Sequence, residues 1–183
     1  MSEYKVANRY AKALVDLLQQ NNTLDAGFKD MREFHALLLK TDPLMNLLKS
    51  PIIHGHQKMA VLQAIFGKSF LKVTMDFFAL IIEKKREYYL QTIAEVFIEQ
   101  YQLIKNIGTA TVKSAIALDA NTNDAIRKFI ESFTGKQIEV TSVVDPKIIG
   151  GIIIHSDNKL YDASITGSLY KAKQELLNTY ISK

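Results

Sequence analysis

The sequence predicts a mainly α fold with a small α/β unit. An N-terminal six-helix bundle is followed by a C-terminal strand-helix-strand-strand-helix domain, in which the last strand element is a strand pair. Apolar residues recur at helical spacing up to about Lys105, and from Thr109 they alternate as in β-strands. Because Asn106-Ile107-Gly108 lies at this change, we expect domains at 1–105 and 109–183.

In the N-terminal half, cap and breaker residues separate the helices. Asp42-Pro43 opens a short helix in the order of a cap followed by proline, and Ser50-Pro51 ends it. Gly67 separates the fourth helix from the fifth. The predicted helices are a first one through Val6 to Leu18, then 24–40, 42–49, 56–66, 70–84 and 88–105.

Two of these helices have apolar arcs wider than the stripe of about 100° that a surface helix normally buries. In the first helix, the stripe Val6, Tyr10, Ala13 and Leu17 lies beside the stripe Ala7, Ala11, Leu14 and Leu18. In the fifth, the stripe Val73, Phe77 and Leu80 is separate from Leu71, Phe78 and Ile82. Side by side, the two helices would leave a groove for an amphipathic helix of a partner. Equally, both could simply lie deep in the bundle with neighbours on two sides.

The C-terminal half is predicted from its turn residues. A strand at 109–118, a helix at 122–133 ended by Gly135, and a strand at 137–144 come first. Asp145-Pro146 then opens a turn, and Gly150-Gly151 begins a strand at a point where no Cβ is tolerated. Residues 156–159 form a hairpin connection, and Asp162 or Ser164 caps a helix that starts near Ile165.

Composition excludes several classes of protein. The 183 residues are 48% hydrophobic, which argues against disorder, and the absence of cysteine removes disulfides and thiol chemistry. Basic and acidic residues number 14 and 11 through Ile107, and 9 and 8 beyond it, so neither half is strongly charged. The pI near 9.1 is the one feature that suggests the alternative, a nucleic-acid-binding module. The start lacks a signal peptide, and the longest apolar run, 77–82, is far short of the roughly 18 residues of a membrane span. We therefore expect a mature cytosolic chain.

Candidate chemical sites are weak. His54 and His56 with His35 could hold a metal, but no positioned third ligand accompanies the H-x-H pair, and histidines at the start of a helix are the simpler interpretation. A carboxylate cluster is conceivable, although each member has a turn or cap position: Asp145, Asp157 and Asp162. The run Lys84-Lys85-Arg86 is typical of a solvated helix end, and the glycine pair lacks the spacing of a phosphate loop. We expect no catalytic residue, metal or cofactor.

Five segments together resemble one family. In order along the chain they are YAKAL, SPIIHGHQK, IIEKKRE, DPKIIGG and DASITGSL. Their order and spacing resemble the delta subunit of rotary F-type ATP synthases, the bacterial counterpart of the mitochondrial oligomycin-sensitivity-conferring protein. Lys85 and Ala163 depart from the resemblance, since relatives often carry glycine at these positions.

The resemblance implies a non-catalytic stator subunit, present in one copy per complex. The first and fifth helices would hold the N-terminal helix of the alpha subunit, at a surface comprising Val6, Tyr10, Ala13, Leu17, Val73, Phe77, Leu80 and Lys84. The C-terminal domain would meet the b subunits of the peripheral stalk, with a structural motif of Asp145, Pro146, Gly150, Gly151, Asp162 and Ser164. It implies no nucleic acid, no cofactor, and a peripheral location at the cytoplasmic face of the bacterial inner membrane, through partners only.

Overall fold

The computed structural model describes residues 3–146, 148–156 and 159–181. The chain divides into two compact units, Met1–Ile104 and Lys105–Lys183. The described residues are mainly helical and include a small four-stranded sheet in the second unit. No helix among them combines the length and the hydropathy needed to cross a bilayer.

All regular elements in the described part of the first unit are helices. The second to sixth helices lie within two residues of their predicted bounds, and the second and third have the predicted ends, whereas the first extends beyond Val6 and Leu18 at both ends. Residue 71 is the extended N-cap of the fifth helix and residues 87–89 form a 3-10 turn, so the fifth and sixth helices begin two residues later than predicted. The helices are α1 Glu3–Gln20, α2 Leu24–Lys40, α3 Asp42–Lys49, α4 Gly55–Phe66, α5 Lys72–Glu83, the 3-10 helix Glu87–Tyr89 and α6 Leu90–Ile104.

Phenylalanine side chains from different helices pack together in the core of the first unit. The ring of Phe34 on α2 lies 5.7 Å from that of Phe66 on α4 and 4.7 Å from that of Phe78 on α5. Phe70 stacks on Phe66 at 4.3 Å. Such ring pairs contribute about 0.5–1.5 kcal/mol each beyond the burial of their area. α6 packs against α1 and α2.

The second unit is a four-stranded sheet with a helix on one face. Its elements are β1 Ile107–Ser114, α7 Ala120–Thr134, β2 Gln137–Val144, β3 Gly151–Ser156, β4 Lys159–Ser164 and α8 Ile165–Ile181. The strand order is β2-β1-β3-β4, with β1 parallel to β2 and antiparallel to β3, and with β3 antiparallel to β4. α7 connects the parallel pair. The core between α7 and the sheet comprises Ala110, Val112, Ile126, Ile130, Ile138 and Ile154.

The first strand differs most from its prediction, which was 109–118. β1 begins at Ile107, inside the predicted junction, and ends at Ser114. There the Ser114 hydroxyl donates a hydrogen bond to the Ile116 carbonyl at 2.7 Å, and the chain bends at residues 115–116. Ser156 and Lys159 form the last pair of the β3–β4 hairpin, whereas Asp157 lies outside the described residues.

Candidate functional site

α1 separates its two apolar stripes clearly. Ala7, Ala11 and Leu14 are buried together with Leu18, so this stripe fills the core of the unit. On the other stripe, Ala13 is exposed, Leu17 is 44% exposed and Tyr10 is half-buried; Val6 is buried. α1 therefore does not bury its whole apolar arc within its own unit, and an apolar surface stays open along the helix.

α5 shows the same division less completely. Phe78, Ile81 and Ile82 are buried, and Phe77 is buried beside Phe78, with ring centroids 6.4 Å apart. Three positions of the other stripe face solvent. Val73 is half-buried, Leu80 is 44% exposed, and the Lys84 ammonium pairs with the Glu83 carboxylate at 3.3 Å. Phe77, like Val6, thus supports the surface from beneath and offers little contact area of its own.

The two helices have different main neighbours. α1 makes its largest contact with α6, and α5 with α4. Direct contact between α1 and α5 is slight at most, although both touch the 3-10 helix Glu87–Tyr89. Each open stripe is thus held by a separate part of the unit.

A carboxylate of α2 fixes the start of α5, which sequence reasoning missed. The Asp30 carboxylate is buried and accepts hydrogen bonds from the Leu71 backbone N–H and the Thr74 hydroxyl, both at 2.8 Å. The first N–H groups of a helix lack partners within the helix, so Asp30 acts as a cap from another helix. The available signal was an acidic residue on the apolar face of α2, between Gly27 and Phe34.

A buried ion pair, also not predicted, joins α4 to the segment after α5. The Lys58 ammonium donates to Glu87 Oε1 at 2.7 Å and to the Leu48 carbonyl at 2.9 Å, and the lysine side chain is almost wholly buried. Removing one partner of such a pair leaves an uncompensated buried charge. The pair therefore fixes the relative positions of α3, α4 and the 3-10 helix.

The histidines do not gather into a metal site. His54 is the N-cap of α4, and its ring stacks on that of His56 at 5.7 Å. Both line a cavity of about 680 Å³. His35 lies elsewhere, 3.2 Å from Glu95. In the described part of the chain, no group of three or more histidine or acidic residues could hold a metal ion.

Ser164 and Asp162 divide the capping of α8 between them. The Ser164 hydroxyl accepts a hydrogen bond from the Gly167 N–H at 2.9 Å, so Ser164 is the N-cap. Asp162 accepts from the Ser164 N–H at 2.9 Å, and hydrogen bonding from Ser164 holds the pKa of Asp162 below its ordinary value of 3.8. Asp145 lies apart from this cap, with its carbonyl accepting from the Ile148 N–H in the turn that contains Pro146.

The two glycines before β3 have different constraints. Gly151 has φ +80°, and an added Cβ would overlap the Ala163 carbonyl oxygen and lie 2.9 Å from the Ser164 Cα. Gly150 has no such backbone requirement, because its Cβ would meet only the flexible end of Ile165, at 2.8 Å. The expectation that no Cβ is tolerated therefore applies to Gly151.

Comparisons with known proteins agree across the chain. The family model described as ATP synthase delta (OSCP) subunit matches residues 6–176. The ATP synthase subunit delta of Desulforudis audaxviator is 31% identical over 176 residues, which cover 96% of this chain and 97% of the relative. That of Cytophaga hutchinsonii is 30% identical over 182 residues, and the alignment covers 100% of both chains.

A solved structure is similar in fold. A chain in the cryo-EM structure of the Toxoplasma gondii mitochondrial ATP synthase hexamer superposes with a TM-score of 0.70, covering 93% of this chain and 97% of that one. The two share 16% sequence identity, so the likeness concerns the fold alone.

Proposed function

The chain belongs to the ATP synthase delta (OSCP) subunit family, and from that premise we propose that it links the N-terminal helix of the alpha subunit to the b subunits. The family is a structural, non-catalytic part of the ATP synthase. In the proposed role, the chain holds the catalytic head against rotation while the central shaft turns inside it. Rotation is thereby coupled to ATP synthesis.

The observation that carries the head contact is the open stripe of α1. The stripe of Ala7 and Leu14 fills the core, whereas Ala13 and Leu17 are exposed on the other stripe. An amphipathic helix laid along such apolar positions buries them without needing any catalytic group. Leu80 on α5 offers a second open apolar position, and Lys84 adds a charge at the end of that helix.

A contact that transmits torque must be rigid within this chain. The buried Asp30 carboxylate holds the start of α5, and the Lys58–Glu87 pair holds the segment that follows it. Both are buried polar contacts, which define a unique arrangement more strictly than apolar packing alone. They support a surface that keeps its shape under load.

We assign the stalk contact to the second unit. Gly151, Asp162 and Ser164 keep β3, β4 and α8 in one arrangement, and Asp145-Pro146 sets the turn that leads into them. With one copy per complex, the chain would reach the membrane only through its partners. In this role we expect it peripherally at the cytoplasmic face of a bacterial inner membrane.

A charge on the open stripe of α1 tests the head contact. Ala13 is exposed in the free chain, so Ala13→Asp should lower the free energy of unfolding by no more than about 0.7 kcal/mol, the difference in helix propensity. Burying that unpaired carboxylate beneath a partner helix should cost about 3 kcal/mol or more, which is over about 100-fold in Kd. The measurement is a titration of the full chain with a synthetic peptide of the alpha subunit's N-terminus.

Lys12→Glu is the matched control. Lys12 is exposed on the polar side of the same helix, so the peptide affinity of this variant should stay close to that of the unaltered chain. Equal affinity of a folded Ala13→Asp variant and the unaltered chain would refute the assignment of this stripe.

A further inference from the structure

We propose that the outer edge of β2 accepts an extended segment of another protein as an additional strand of the sheet, and that this segment carries a basic residue at each end. The open edge is defined as residues 140–144, the sequence VTSVV, in the second half of β2 Gln137–Val144. This inference goes beyond the head and stalk contacts proposed above and does not depend on them.

The backbone of β2 alternates between β1 and the outer side of the sheet. The Gln137 N–H donates to the Asn106 carbonyl, and the Asp145 N–H donates to the Ser114 carbonyl. In a parallel ladder, alternate residues of a strand bond to the same neighbour, so the odd-numbered residues bond to β1. β2 is at the edge in the strand order β2-β1-β3-β4. The backbone groups of its even-numbered residues therefore point outward.

Two other outward N–H groups on the sheet edges are blocked by side chains of the chain itself. At the start of β2, the Ile138 N–H donates to the Glu131 carboxylate at 3.1 Å. At the end of β4, the Ser164 N–H donates to the Asp162 carboxylate at 2.9 Å. In the described part of the chain, the N–H groups that face outward from the open edge have no such partner; they belong to Val140, Ser142 and Val144.

The open edge also lacks the residues that usually keep a strand edge from pairing. Native proteins protect such edges with charged residues, above all lysine, or with proline, and VTSVV contains neither. Val143 is 42% exposed and Val144 is 50% exposed. An added strand would satisfy the outward backbone groups and cover these two side chains, which is how proteins bind an extended peptide at a sheet edge.

The charges at the two ends of the open edge determine the chemistry of the partner. Glu139 precedes the edge and Asp145 follows it, six residues later, or about 20 Å along a strand. If two copies of this chain paired antiparallel about Ser142, Glu139 of one copy would lie opposite Asp145 of the other. Parallel pairing would set Glu139 beside its own counterpart. Like charges opposite one another are destabilising, so a different chain with a lysine or arginine at each end fits better.

The probe is a designed β-hairpin peptide whose outer strand has five alternating valine and threonine residues between two lysines. A second hairpin carries glutamate in place of the lysines. A hairpin is already extended, which reduces the ordering cost of binding. In a titration of the full chain followed by NMR, the lysine hairpin should bind about tenfold more tightly, because each end pair changes from repulsion to attraction.

Amide hydrogen exchange locates the added strand. In the free chain, the N–H groups of Thr141 and Val143 should exchange slowly, whereas those of Val140, Ser142 and Val144 should exchange fast. At a free hairpin concentration ten times its Kd, exchange of these three outward groups should slow by about tenfold.

Proline at an outward position removes one donor of the open edge without removing a bond to β1. Ser142→Pro should therefore weaken binding by about tenfold or more. Leu160→Pro is the matched control on the other edge of the sheet, because the Ile165 N–H donates to the Gly150 carbonyl and the even-numbered residues of β4 point outward. It should retain binding. Val144→Lys, which leaves the backbone intact, should also weaken binding of the lysine hairpin.

Four results would overturn the inference. The first is uniform exchange of the amides at 140–144 in the free chain. The second is equal affinity for the two hairpins. The third is hairpin binding that leaves exchange of the outward amides unchanged or survives in both Val144→Lys and a folded Ser142→Pro variant. The fourth is self-association of the chain, measured by sedimentation, that Val144→Lys removes, since the edge would then pair with a second copy.

Discussion

Replacing Gly151 should unfold the second unit at lower denaturant concentration while leaving the first unit intact. At φ +80°, a residue with a Cβ costs about 1–3 kcal/mol. The added Cβ of Gly151→Ala also overlaps the Ala163 carbonyl oxygen, a backbone atom of the paired strand β4 that cannot rotate away. We therefore expect a loss of roughly 2–4 kcal/mol in the free energy of unfolding of this unit.

Gly150→Ala is the matched control. Its Cβ would meet only the Cδ1 atom of Ile165, at the flexible end of a side chain, so the loss should stay below about 1 kcal/mol. Urea unfolding followed by circular dichroism measures both variants. The alpha-subunit peptide should bind each with unchanged affinity, because its proposed surface lies on α1 and α5. A loss below about 0.5 kcal/mol for Gly151→Ala would refute the argument from backbone geometry.

Three further changes test the helix ends and caps that stabilise the two units. Lys85 follows α5 with φ +54°, so Lys85→Gly should raise the free energy of unfolding by about 0.5–1 kcal/mol and with it the melting temperature. Lys84 has φ −78°, so Lys84→Gly should lower the melting temperature. Asp30→Ala removes the cap of α5 and should lower the free energy of unfolding, measured with urea, by about 2–3 kcal/mol. Asp76 is exposed, so Asp76→Ala should change that free energy little. The pKa of Asp162 is lowered in the folded chain, so its ionised carboxylate stabilises the fold above pH 3.8, and this stabilisation is lost as the pH falls through the folded pKa. Asp162→Asn should therefore flatten the acid side of a plot of unfolding free energy against pH.

Periodicity and turn chemistry predicted the elements because both are local. α2 has its predicted ends, and Ser164, one of two candidate caps, begins α8. The structure also explains the departure at Lys85, where relatives often carry glycine. Its N–H donates to the Ile82 carbonyl and that of Arg86 to the Ile81 carbonyl, each at 2.9 Å, as in a glycine-ended helix, with lysine in the left-handed conformation.

What sequence reasoning missed depends on residues far apart in the chain. Asp30 caps a helix that begins more than 40 residues later, and Lys58 pairs with Glu87, 29 residues away. Neither contact has a period or a spacing that a sequence displays. The double stripe of α1 was predicted, but its division into a core side and an open side follows only from the position of α6.

The central claim, that one chain joins the head to the stalk, is tested most directly by ATP-driven proton pumping. Membranes stripped of the head and of this subunit would be recombined with purified head and either the full chain or a fragment ending at Lys105. The full chain should restore pumping, and the fragment should bind the alpha-subunit peptide without restoring it. Restoration by the fragment alone, or ATP turnover by the isolated chain, would contradict the account.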